Sequence, residues 1–382
     1  MAVAKVKLFC IYFKKAFNSE LKLIFSSFIR HWLLWIFPLI IFMLISSIFI
    51  QGVMLNLPIG VVDQDHSQLS RQLIRELDAG SHAKLINYDI PLLEALKQLK
   101  KINIYALLYI PPNFEADVLA GHQPTPVLYY NALYYSSGLY SIMDYSGLIN
   151  SLNDHYRRIM ASKVGLPMPI LAKVNFIYDG LFNATGNSRY FQLFSAIIHI
   201  LQLFVVACTV HLLGQLPKTA RVNYAVILGK LLPYTLWYTS LLLFEIAMLV
   251  LASSAKVNSQ PIFMPIVIFF YVIAAQSIGI LLFTFTRTVI NAYSLIGILV
   301  GLALTYSGIT IPEISMPLIA QFIAQIEPLT YALNTLFDIF LRHISFISIV
   351  KTCLILILYP LLTILLTRTR FLKRLNQQEV FD

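Results

Sequence analysis

Apolar positions follow three different rhythms along this 382-residue chain. Over residues 1–31 the rhythm is that of an amphipathic helix. Phe13, Phe17, Leu21, Ile24 and Phe28 recur at spacings of four, four, three and four, with Lys14, Lys15, Asn18 and Lys22 on the other face. Six longer stretches, residues 32–50, 190–213, 231–253, 262–285, 291–306 and 350–367, are nearly unbroken apolar runs. About 20 such residues cross a bilayer as a helix, so six membrane helices are expected. Pro38 falls in the first turns of the first one, where a kink is tolerable.

Between the first two runs, residues 51–189 read as a compact α/β domain. The segment IGVVDQD predicts a strand ending in a turn, and His66 to Asp78 a helix with Leu69, Leu73, Ile74 and Leu77 on one face. AKLINY reads as a second strand, and Pro91 opens a helix through Lys101. INIYALLYI is apolar enough to be a central strand. PPNFEADVLAG carries Pro at its start and Gly at its end, the asymmetry of a short helix. PTPVLYYN predicts a fourth strand, residues 138–165 a long helix and AKVNFIYD a late strand. Asp63 and Asp65 read as turn and helix-cap residues, since capping favours Asp there.

Composition agrees with a membrane protein. Charged residues make up 12% of the chain against 58% hydrophobic, and mean hydropathy is +0.74, whereas a soluble domain carries about 25% charged residues. The net charge of +10 matters through its placement. Residues 1–31, the 214–230 segment, the turn at Arg287 and the tail 368–382 hold fourteen of the 28 Lys/Arg, with only Glu20, Glu379 and Asp382 as acids. Residues 51–190 hold eleven of each sign. The positive-inside rule then puts both termini in the cytoplasm and the α/β domain outside. A basic amphipathic lead lies in the interface plane; it is too long for a secretory signal, and no small-x-small cleavage site follows.

Three cysteines, Cys10, Cys208 and Cys353, are too few and too scattered for a disulfide framework, and no Cys/His spacing suggests a metal site. No GxxxxGK[ST], nucleophile elbow or paired catalytic carboxylates occur, so the chain itself is not expected to hydrolyse ATP or to be an enzyme. Several polar residues fall within the apolar runs: Gln192, His199, Gln202, His211, Glu245 and Gln276. A charge at a helix centre costs roughly 2.5–3.5 kcal/mol on insertion scales, so Glu245 is expected to face protein or water. Two readings stay open for this group: a polar wall or proton relay on a transport path, and hydrogen-bond glue between helices.

One stretch, YSGITIPEISMPLIAQFIAQIEP at residues 306–328, breaks the apolar pattern. Pro312 and Pro317 interrupt helix there, while Glu313 and Glu327 sit in an apolar setting. Irregular backbone at membrane depth is tolerated only where protein or a wet cavity surrounds it. A re-entrant helix pair over 307–328 and a plain Pro-rich turn both fit.

These segments together resemble the permease subunit of a type 2 ABC exporter, in the subgroup with a large extracytoplasmic domain between the first two spans. The resemblance runs over nearly the whole chain. It is carried by FNSELKLIF in the lead, GVVDQDHSQLSRQLIREL after the first span, ALLYIPPNFEADVLAG, and ILGKLLPY entering the third span. SGITIPEISMPLIAQFIAQIEPLTYAL, with its SG-x-x-x-P, Met-Pro and x-P-x-T-Y pattern, is its strongest part. The chain departs from the family in GQLPKTARVNYAVILGK, which lacks the usual Arg/Glu-rich stretch and Gly-Thr of the loop that contacts the ATPase.

The resemblance implies a mainly α-helical membrane protein of six transmembrane helices, with an inserted extracytoplasmic α/β domain and a re-entrant segment before the last span. It implies an ABC ATPase subunit that binds the ATP, no cofactor on this chain, and a second permease in a homodimer or heterodimer. A periplasmic adaptor, membrane lipid contact, no nucleic acid, and a bacterial inner-membrane location complete the expectation. Ser307, Gly308, Pro312, Glu313, Pro317, Glu327 and Pro328 become candidates for an outer gate. Lys14, Lys15, Lys22, Lys218 and Arg221 become candidates for ATPase coupling. Glu245, His199 and Gln202 are the intramembrane candidates. The competing readings are a proton-coupled secondary transporter and a membrane receptor or assembly factor acting through its outer domain.

Overall fold

The first helix, α1 (Ala2–Ser26), ends because one residue, Ser27, takes extended backbone at φ −105° and ψ 117°. The chain turns there and re-enters helix as α2 (Phe28–Ile48), the first of six helices among the described residues that are long and apolar enough to cross a membrane. In α2 the residues Trp32–Ile36 wind as a π-helical turn just ahead of Pro38. A proline cannot donate to the carbonyl four residues back, and a π turn is one way a helix absorbs such a defect. The computed structural model describes residues 2–50, 55–80, 82–120, 122, 124–130, 145, 147, 187–216, 223–253, 257–309, 311, 313–368 and 370–371. The chain divides into two compact units, Val53–Asp179 and the remainder, Met1–Gly52 with Gly180–Asp382.

In the inserted unit, strands β1 (Leu57–Asp63), β2 (Ala83–Asn87), β3 (Ala106–Ile110) and β4 (Val127–Tyr130) form one sheet in the order β2-β1-β3-β4. β1 runs parallel to β2 and β3, and β4 is antiparallel to β3. Helices α3 (Gln68–Asp78), α4 (Leu92–Lys100) and α5 (Phe114–Leu119) join them. Alternate residues of β1 and β3 serve opposite faces. Val61 and Leu108 pack with Leu69 and Leu73 of α3 and Phe114 of α5, whereas Val62 and Leu107 pack with Ala95 of α4.

Asp63 closes the turn after β1: its carboxylate accepts from Asp65 N at 3.0 Å, His66 N at 3.1 Å and Ser70 Oγ at 2.7 Å. Asp65 does not cap α3, whose N-cap is Ser67; it accepts from Glu115 N at the start of α5. Glu115 in turn accepts from Gln68 N, so the two helix starts cap each other. The helix expected over 138–165 and the strand over 172–179 lie outside the described residues, apart from Tyr145 and Gly147.

The membrane unit continues with α6 (Arg189–Gly214), α7 (Tyr224–Ser253), α8 (Phe263–Phe285) and α9 (Val289–Tyr306). Two short helices follow, α10 (Leu318–Ile326) and α11 (Pro328–Leu341), and then the last span, α12 (Phe346–Thr367). Span three starts at Tyr224, seven residues before the apolar run suggests. Asn223 caps it by accepting from Val226 N at 3.0 Å, and its first turns lie against α1. Span four, α8, is the hub of the bundle and packs on α6, α7, α11 and α12. Its Tyr271, Val272, Ala274 and Ala275 are fully buried.

At one end of this bundle Arg189 ties three helices together. Its guanidinium donates to Phe49 O just past α2 at 2.8 Å and to Ala252 O in the last turn of α7 at 2.7 Å. Tyr190 Oη adds a bond to Ser253 O at 3.0 Å. Carbonyls at a helix C-terminus have no intrahelical partner and attract cations, which is why an arginine stands where these ends meet.

Candidate functional site

Among the described residues of the membrane unit, a cluster of charged side chains lies where α1 meets α7. Gly229 allows the contact: a Cβ there would stand 2.5 Å from Phe13 O and 3.2 Å from Phe17 N. With glycine, the two backbones touch. Around this notch Phe13, Ala16, Phe17, Glu20 and Ile24 form the inward face of α1. The stripe is rotated from the one the spacing suggests, since Leu21 and Phe28 are exposed.

Glu20 is fully buried and sits among cations. Its carboxylate pairs with Arg30 of α2, accepts from Lys230 Nζ at 2.8 Å and from Tyr234 Oη at 3.0 Å; Arg30 also donates to Tyr234 Oη at 2.9 Å. The break at Ser27 is what brings Arg30, ten residues on, back against Glu20. Every donor at the site is charge-assisted or shared, the arrangement under which a buried carboxylate is tolerated. Lys230 therefore belongs to α7 and not to a loop. A lone acid among lysines reads as solvent-facing, so the sequence hides this cluster. The available signal is that Glu20 falls on the Phe13–Phe17–Ile24 stripe.

Lys14, Lys15 and Lys22 are exposed on the opposite face of α1. Lys218 and Arg221 lie outside the described residues.

The stretch after span five folds back as a helix pair. Gly308, at φ +83°, ends α9 in the left-handed conformation that favours glycine, and Ser307 is buried with its hydroxyl on Leu304 O. Glu313 opens a single 3-10 turn and accepts from Asn334 Nδ2 at 3.3 Å. Pro317 is the N-cap of α10; Pro328 is the first residue of α11 and Glu327 its N-cap. Pro312 lies outside the described residues. The pair thus extends to Leu341, with α11 buried on α8 and α12 while α10 leaves Leu318, Ile319 and Phe322 exposed.

Glu327 bonds into the bundle. It accepts from Gln202 Nε2 of span two at 2.6 Å, while Tyr271 Oη of span four lies 3.3 Å from Gln202 Oε1. Gln202 is one link between the folded-back pair and the bundle; Tyr359 Oη of α12, donating to Ile326 O at 2.7 Å, is another. Gln202→Leu is expected to leave the carboxylate without that donor, costing about 2 kcal/mol. Thermal unfolding in detergent reads the loss, and Glu327→Gln, which keeps an acceptor for Gln202 Nε2, should cost less. Gln192 is exposed, so it does not share the buried face of Gln202. His199 Nδ1 is buried without a hydrogen-bond partner among the described residues. Glu245 is buried against an apolar wall of Pro38, Ile41 and Phe42 from α2 and Ile197, Leu201 and Phe204 from α6. Gln276 bonds to Thr235 and to Leu231 O, joining spans three and four.

Among the described residues, six apolar spans with one of them as hub, an inserted α/β domain, a surface helix clamped to span three and a folded-back pair before the last span define a multi-pass membrane protein. The chain matches the ABC-2 family transporter protein over residues 27–368 and belongs to that family. Membership makes it a transport component of an ABC transporter and implies association with an ABC ATPase subunit. No curated protein and no solved structure matches the chain.

Proposed function

We propose that this chain is the permease subunit of an ATP-driven exporter in a bacterial inner membrane, with both termini cytoplasmic and the inserted domain outside. A separate ATPase pushes on α1, and the push enters the bundle at the Glu20 cluster. The observation that carries this reading is the clamp itself. A surface helix with three exposed lysines on one side is fixed, on the other, to the first turns of a span by a backbone contact and a buried charge cluster. An amphipathic helix that served only as an anchor needs neither.

The folded-back pair α10–α11 is the natural outer gate under this reading, with Ser307, Gly308, Glu313, Pro317, Glu327 and Pro328 setting its ends. A second permease, identical or different, completes the path. The exposed faces of α9 and α10 offer it apolar surface, including Ile298, Leu302 and Phe322. A periplasmic adaptor is a further candidate partner for the inserted domain.

Reversing Lys14, Lys15 and Lys22 to glutamate tests the coupling face. These positions are exposed, so stability should move by less than about 0.5 kcal/mol. Copurification with the ATPase and ATP-driven export from membrane vesicles should fall sharply. Full activity in the triple variant would remove α1 as the coupling element. Glu245→Gln should export at the wild-type rate across pH; a rate lost only at the pH where a proton gradient drives transport would favour a proton-coupled carrier instead.

A further inference from the structure

A cleft of about 210 Å³ opens between α7, α8 and α12, near the end of the bundle that carries the Glu20 cluster. Its walls are aliphatic, with Ile227, Leu231 and Leu232 from α7, Ile273 and Ile280 from α8, and Ile364 from α12. The deep end is closed by Thr235 Oγ1 donating to Gln276 Oε1 at 3.0 Å. At the other end stands Tyr224, whose hydroxyl is shut off from solvent and has no hydrogen-bond partner among the described residues. A buried hydroxyl calls for an acceptor. Thr367 and Phe371 line the same end, and between them in the chain lie the exposed cations Arg368 and Arg370. Leu228 and Ile364, at the rim, are 51% and 47% exposed on the apolar outside of the spans.

The dimensions select the occupant. From Tyr224 to Thr235 the α7 axis rises about 16 Å, close to half of a ~30 Å hydrocarbon core. An aliphatic slot one leaflet deep, open to the bilayer at its side and cationic at its polar end, fits a lipid tail whose headgroup is anionic. We propose that the cleft holds one acyl chain of an anionic phospholipid. The phosphate lies at Arg368 and Arg370, and a glycerol-ester carbonyl accepts from the Tyr224 hydroxyl. The lipid then packs on the face of α7 turned away from Gly229 and Lys230, so span three is held by α1 on one side and by lipid on the other. Binding does not depend on the exporter reading: the site belongs to the folded chain alone.

The test uses the full chain in nanodiscs containing phosphatidylglycerol with a photoreactive group on one acyl chain. Irradiation should label peptides of α7, α8 and α12 that line the cleft. Ile364→Trp, a rim change that fills the slot from an exposed position, should lose most of that label. Tyr224→Phe should retain phosphatidylglycerol roughly five-fold less well in native mass spectrometry, the worth of one hydrogen bond. Arg368→Gln with Arg370→Gln should erase the preference over phosphatidylcholine. Label spread evenly around the spans, or unchanged in Ile364→Trp, would mean bulk lipid only and overturn the proposal. Displacement of the label by inorganic phosphate would mark a plain anion site and overturn it equally.

Discussion

Glu20→Ala should release α1 from the bundle and abolish ATP-driven transport. The substitution removes the one acid that Arg30, Lys230 and Tyr234 share. Breaking a buried ion pair by deleting one partner costs about 3–5 kcal/mol, because the remaining charge is left uncompensated. Arg30 and Lys230 keep 13% and 21% exposure, so water relieves part of the penalty and the low end of that range is expected. Thermal unfolding in detergent gives the stability, and limited proteolysis near Ser27 reports whether α1 has come away. Glu20→Gln keeps an acceptor without the charge and should fall between. Wild-type export by Glu20→Ala would show that force does not enter through this cluster.

Gly229→Leu should have an effect of similar size by a different route. Its side chain would meet Phe13 O, and a backbone carbonyl cannot rotate aside as a flexible side chain can. Overpacking of this kind costs about 1–3 kcal/mol, with a rigid neighbour at the top of that range. The penalty falls on the α1–α7 contact alone, so the spans should stay folded while the helix lifts. The signature is an unchanged far-ultraviolet helix signal with new proteolysis in residues 2–26 and loss of coupled ATP hydrolysis. Gly229→Ala should show a milder form of both. If Gly229→Leu protects α1 as fully as glycine does, the close backbone contact is not what holds it.

The spans were legible because a bilayer imposes one strong rule, an uninterrupted apolar run of fixed length. The sheet order of the inserted domain was partly legible through β3, whose apolar ALLYI marks a strand with neighbours on both sides. Partnerships were not. Glu20 finds Lys230 across 210 residues, and Gln202 finds Glu327 across 125. Nothing in either local pattern encodes the other half. The start of span three at Tyr224 is hidden for the same reason. Lys230 reads as a loop cation until Glu20 supplies its countercharge, after which helix from Tyr224 onward costs nothing in buried charge. The folded-back pair was half visible: prolines announced the interruptions, but whether the chain dives or merely turns depends on the burial of α11 against α8 and α12.

Arg189 has a mechanical consequence. By holding the last carbonyls of spans one and three it pins those helix ends to the start of span two. The clamp of α1 on α7 lies at the far end of the same span. A helix fastened at one end and pushed at the other cannot slide along its axis; it tilts. Under the proposed coupling Arg189 acts as a fulcrum, and displacement of α7 should grow with distance from it. The largest movement is then expected in the first turns of α7, around Gly229, and the smallest at Ala252.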